Sequence, residues 1–136
     1  MSNTATETRS IIVERELAFP PEKIWRALTQ SHLIGEWLMQ CDFAPNPGHN
    51  FKFSADWGEI ECQVQTVEYC KELTYSWVSR ELASVVTWTL QATENGTHLK
   101  MVQTGFLPDQ QRAYMGAKAG WPQFLSRLEA VVSSLE

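Results

Sequence analysis

No stretch of this sequence carries the concentrated basic charge that a nucleic acid or an anionic membrane surface demands. Lys and Arg number 11 against 16 Asp and Glu, a formal net charge of −5, and no run gathers the basic residues together. Polyanions are held through a dense basic face, so that partner class is excluded. Long apolar runs are missing too, and none approaches the ~20 residues a transmembrane helix needs. The opening MSNTATETRS is polar and lacks an apolar core, so it reads as a flexible tail over residues 1–10 and not as a signal peptide. No membrane insertion and a cytoplasmic location are therefore expected. Cysteines are few: Cys41, Cys62 and Cys70 are odd in number and have no C-x-x-C spacing, the pattern of reduced, buried thiols. His32, His49 and His98 fall on different elements and form no ligand motif, so neither a metal nor a cofactor is expected. Internal repeats, linkers and low-complexity blocks are likewise missing.

What is present suffices for one domain, expected over residues 11–136. Hydrophobic residues make up 43% and charged residues 20% of the 136, enough to bury a core without disulfide or metal support. Six tryptophans are many for that length and point to aromatic packing or an aromatic-lined site. SIIVERELAF alternates as a strand, with Ile11, Val13, Leu17 and Phe19 on one parity and Arg15 among them. Pro20-Pro21 ends it. PEKIWRALT then predicts a short helix burying Ile24, Trp25 and Leu28, and SHLIGEWL a second, capped by Ser31 and presenting Leu33, Ile34, Trp37 and Leu38. After a loop at Pro45–Gly48 the period switches to two. NFKFSA is followed by a turn around Asp56-Trp57-Gly58. In EIECQVQTVEY, Ile60, Cys62 and Val64 share a parity that Val67 and Tyr69 break, so a β-bulge near Gln65 or Thr66 is expected. ELTYSWVS groups Leu73, Tyr75 and Trp77, while SVVTWTLQA groups Val86, Trp88, Leu90 and Ala92. Asn95-Gly96 signals a tight hairpin turn, and THLKMVQTGF returns with Leu99, Met101 and Gln103 inward.

The chain closes on GAKAGWPQFLSRLEAVVSSLE, where a helical pattern runs through Gly-Trp-Pro. Tyr114, Ala117, Trp121, Phe124, Leu125, Leu128, Val132 and Leu135 fall on one stripe at helical spacing, and Gly116 lies outside it. Pro122 removes an N–H and crowds the Lys118 carbonyl, so a kink is expected beside the largest apolar side chain. Gly116 and Gly120 read as positions that weaken the helix by about 1 kcal/mol each relative to Ala. A long helix spanning 110–135 is predicted all the same. Strands with helices segregated to one face make an α+β layer architecture.

The order of these elements resembles the helix-grip fold of the START-like, birch-pollen-allergen-like superfamily. The strings FPPEKIWRALTQSHLIGEWL, PGHNFKF, ELTYSW, NGTHLKMVQTGF and GWPQFLSRLEAVV, in register from Ile11 to Leu135, resemble its AHSA-like family, named for activators of a heat-shock chaperone ATPase. The resemblance implies a curved antiparallel sheet of about six strands wrapped around the C-terminal helix, with two short helices after the first strand and often a cavity between sheet and helix. The chain departs from the family at Gln103, where many members carry a histidine before the Gly-Phe pair, so no role of that imidazole carries over.

Strand parity then locates what would face such a cavity. Glu14, Glu16, Glu59, Glu61, Glu68, His98 and Lys100 alternate against apolar neighbours and should face solvent. The inward set is apolar, with Arg15, Tyr75, Cys62 and Gln103 as its polar members. It reads as a ligand cavity with a few orienting groups and contains no catalytic dyad, triad, phosphate loop or metal spacing. Trp121, Trp77, Trp88, Met101, Gln103, Tyr75 and Arg15 are the candidate ligand contacts. Arg15 either anchors an anionic ligand or carries its guanidinium out to water. The expected function is to bind a small apolar or amphipathic molecule. A co-chaperone-like protein interaction, implied by the family name, and a cyclase or hydrolase-type enzyme using the same cavity are the alternatives.

Overall fold

Alternation in RSIIVEREL builds the first strand, β1 (Arg9–Leu17), which buries Ile11, Val13 and Leu17 and turns Ile12, Glu14 and Glu16 outward. In this computed structural model, which describes residues 8–56, 58–80 and 82–135, β1 begins inside the segment expected as a tail. Residues 1–7 of that tail, and Trp57 of the expected Asp56–Gly58 turn, lie outside the described residues. Pro21 opens α1 (Pro21–Thr29) at a position whose missing N–H no helix bond requires. Only Gln30 separates it from α2 (Ser31–Trp37), and it is both the C-cap of α1 and the N-cap of α2. Ser31 is therefore the first helical residue and not the expected cap, and no side chain caps α2. The two helices are joined instead by the Trp37 indole, whose Nε1 donates to the Ala27 carbonyl at 2.8 Å.

Six further strands follow: β2 (Gln40–Cys41), β3 (Asn50–Ala55), β4 (Gly58–Glu68), β5 (Glu72–Ser79), β6 (Leu82–Thr93) and β7 (Gly96–Phe106). All pair antiparallel in one sheet of order β1-β7-β6-β5-β4-β3-β2, and α3 (Gln111–Ser134) closes the chain. Seven strands replace the expected six because β2 has two residues, too few for a period of two to register. The register shift between Val64 and Thr66 is the bulge that the parity break required. It leaves Val67 half-buried, but Tyr69 is 70% exposed, against its expected inward parity. Tyr69 lies beyond the end of β4, beside Cys70 at φ 61, and rests its ring edge-on against Trp25 at 6.0 Å. Ala92 is also exposed, past the last buried residue of β6, Leu90. The hairpin turn centres on Glu94-Asn95, since Thr93 pairs with Gly96. Gly96 is needed for a different reason than turn geometry: a Cβ there would sit 2.0 Å from the Leu17 carbonyl oxygen.

One face of the sheet carries the core. Phe53, Ile60, Leu73, Tyr75, Trp77, Trp88, Leu99 and Met101 point toward the helices, and Glu61 on the neighbouring parity is exposed. The three helices pack against one another, and α3 reaches β1 and β7, which gives the α+β helix-grip architecture. No helix among the described residues is long and apolar enough to cross a membrane.

Candidate functional site

α3 is not buried evenly along its length. Leu125, Leu128, Val131 and Val132 are in the core, whereas Tyr114, Ala117, Gly120 and Phe124 are only half-buried. Between this N-terminal half and the sheet lies a cavity of about 370 Å³. Ile60, Trp77, Leu82 and Gln103 form its sheet wall, and Leu38 and Met39 border it after α2. The helix wall comes from two adjacent rows at four-residue spacing: Arg112, Gly116, Gly120 and Phe124 in one, Ala113, Ala117 and Trp121 in the other. A Cβ on Gly116 would meet nothing within 4 Å, and one on Gly120 only the Phe124 ring at 3.7 Å. The missing side chains are space left open. The helix continues without a break through Pro122, even though Pro122 has no N–H for the Lys118 carbonyl.

A hydrogen-bonded relay fixes the inner end. The Trp121 Nε1–H donates to Gln103 Oε1 at 2.7 Å, Gln103 Nε2 donates to Ser84 Oγ at 3.0 Å, and Ser84 Oγ donates to the Trp77 carbonyl at 2.8 Å. All three side chains are essentially inaccessible, with Gln103 1% exposed, so each bond replaces a lost water contact. Trp121 also touches three rings: Trp77 at 5.4 Å, Trp88 at 5.7 Å and Phe124 at 5.7 Å between centroids. A second pair lies behind them, where Trp88 Nε1 donates to the Tyr75 hydroxyl at 3.0 Å. Burial pushes the Tyr75 phenol and the Cys62 thiol far up, and it raises Cys41 as well, so none of them ionises near neutrality. Arg112 is the one ionisable side chain among the described residues lining the cavity. Two of the larger hollows, of about 580 and 760 Å³, are grooves at the β2–β4 edge and on the outer sheet face, and charged side chains such as Lys52, Glu59, Glu14 and His98 line them.

The sequence from residue 18 to 133 matches the family model described as Activator of Hsp90 ATPase homolog 1-like protein. The chain belongs to that family. It is 53% identical to protein MLL2253 from Mesorhizobium loti, whose crystal structure superposes with a TM-score of 0.90 over 94% of this chain and 99% of that one. Protein BH1534 from Bacillus halodurans is 27% identical, with a TM-score of 0.82 over 91% and 96% of the two chains. CalU16 from Micromonospora echinospora shares the fold at 24% identity and a TM-score of 0.81, over 94% of this chain and 78% of that one. No curated protein matches the chain. The helix-grip scaffold of the family is of a ligand-binding type.

Within this family member, the seven residues singled out from the sequence fall in three places. Trp121, Trp77 and Gln103 line the cavity together. Trp88, Met101 and Tyr75 are buried behind it, supporting the lining from the core. Arg15 does not line the cavity: it sits on β1 opposite Leu99, half-buried, and its Nη1 donates to the Glu14 carbonyl at 3.0 Å. Its stem follows the buried parity while its head reaches the surface. Parity reasoning missed Arg112, Gly116 and Gly120 because all three lie outside the apolar stripe. Their common four-residue spacing with Phe124 was the available signal.

Proposed function

We propose that this protein binds a small apolar or amphipathic molecule in the cavity between α3 and the sheet. The glycine row carries the reading. Gly116 and Gly120 border the cavity, where an apolar side chain would gain about 0.8 kcal/mol per CH₂ it buries. The chain instead places its two weakest interior helix formers short of proline there, at about 1 kcal/mol each, with open space before Gly116. Trp77, Trp121, Ile60 and Leu82 offer apolar walls, and the relay already satisfies the buried polar groups, so an apolar body displaces no protein hydrogen bond. The volume of about 370 Å³ suits a small ligand. A co-chaperone-like docking face has less support, because the exposed large apolar side chains among the described residues are spread over β1 (Ile12), the turn after β4 (Tyr69), β5 (Val78), the β7–α3 connection (Leu107) and α3 (Met115). Three unpaired thiols suit a cytoplasmic setting, where we place the protein.

The test is a titration with the neutral fluorophore N-phenylnaphthylamine. Saturable binding at one site per chain is expected, with energy transfer from tryptophan that Trp121→Phe reduces. No saturable binding, together with no small molecule carried through native mass spectrometry of the purified protein, would refute the reading.

A further inference from the structure

Resting on that reading of the cavity, we propose that its ligand is an amphipathic anion, with an apolar body inside and a planar or tetrahedral oxyanion head held at the mouth by Arg112 and Arg80. Ser79, Leu82, Arg112 and Ala113 border both the cavity and an outer groove of about 600 Å³, so the two spaces adjoin. Arg80 and Asp109 join the lining on the outer side. Two guanidinium groups thus face one carboxylate among the described residues of the mouth, in a chain whose net charge is −5. Arg112 is exposed, and among the described residues no carboxylate lies at ion-pair distance from it. Arg80 stands at φ 55 beside the Ser79–Leu82 pair of the β5–β6 hairpin, in the left-handed region that glycine or asparagine occupies more easily. An arginine there carries a backbone cost that a role for its side chain would offset. Guanidinium groups present forked N–H donors that match carboxylate, sulfonate and phosphate oxygens in pairs.

The inner end sets the direction of entry. Gln103 is the polar side chain there, and both its oxygen and its nitrogen have partners within the relay. A charged head gains no free partner at that end, while Trp121 and Trp77 receive an apolar one. The head therefore faces outward, toward the arginines. Arg15, the alternative anchor suggested by strand parity, lies on β1 and borders neither space.

Two probes sharing one ring skeleton test this: N-phenylnaphthylamine, which is neutral, and anilinonaphthalene sulfonate, which adds the anionic head. At low salt the sulfonate is expected to bind about tenfold more tightly, equivalent to about 1.4 kcal/mol, and to be displaced by the neutral probe. Arg112→Gln and Arg80→Gln should each cut that advantage to about threefold or less, weakening the sulfonate more than the neutral probe, with the fold checked by circular dichroism. Equal or weaker binding of the sulfonate, or equal weakening of both probes by Arg112→Gln, overturns the anion inference and leaves the cavity reading standing. Failure of both probes to bind overturns the cavity reading and the inference with it.

Discussion

The bond between Trp121 and Gln103 ties α3 to β7, and a double-mutant cycle measures what it contributes. Trp121→Phe removes the indole N–H and leaves the Gln103 oxygen without that donor at a site 1% exposed. Removing one partner of a buried bond, so that the acceptor is orphaned, costs about 1–3 kcal/mol. Loss of ring contact with Trp77 and Trp88 brings the expected total to about 2–4 kcal/mol. Gln103→Leu strands the indole N–H in the same way, again at about 2–4 kcal/mol. Ser84 keeps its acceptor, the Trp77 carbonyl, so no third orphan arises. The double variant has neither half of the bond, and it should be more stable than the sum of the single losses implies by about 1–3 kcal/mol. Urea unfolding followed by far-UV circular dichroism gives the four free energies, provided the slopes agree. Additivity within about 0.5 kcal/mol would mean that no such bond joins the two residues.

Two further outcomes follow from the outer face and the hairpin. His98 lies between Glu16 and Glu14, each carboxylate accepting from one ring nitrogen, and these bonds raise its pKa above 6.5. The stabilisation is thus fully present below the unfolded pKa and is lost as pH rises through the folded one; an NMR titration should place the His98 midpoint above 6.5, moving down in Glu14→Gln/Glu16→Gln, and a wild-type midpoint at or below 6.5 would contradict the pairing. Gly96→Ala forces a Cβ to within 2.0 Å of the Leu17 carbonyl, and chemical denaturation should show a loss of about 3 kcal/mol or more, whereas a loss under about 1 kcal/mol would be inconsistent with that close approach.

Much of the fold was legible because periodicity reports burial directly. The parity break after Val64 located a bulge to within a residue, and Trp77, Trp88 and Met101 were assigned to the helix-facing side. Short-range chemistry was less legible. Ser31 looked like a cap, yet Gln30 already ends one helix and begins the next. Asn95-Gly96 looked like the turn itself, but the glycine answers to the backbone of Leu17 and Ala18, which lie close in space and far in sequence. The site was half legible for a related reason. Side chains facing a cavity share the core's parity, so Trp121, Trp77 and Gln103 could be found, but their buried supports Trp88, Met101 and Tyr75 could not be told apart from them. Gly116, Gly120 and Arg112 shape the opening through absent or exposed side chains, to which hydrophobic periodicity is blind.

The most direct test of the cavity is to fill it from the helix side. Gly116→Leu places a side chain where a Cβ meets nothing within 4 Å, so the protein should tolerate it, and the better helix former should raise stability by up to about 1 kcal/mol. The decisive measurement is the dissociation constant of N-phenylnaphthylamine for this variant beside the wild type. At least a tenfold loss of affinity is expected, with stability held or increased. Unchanged affinity in a folded Gly116→Leu protein would contradict the assignment of the α3–sheet cavity as the binding site.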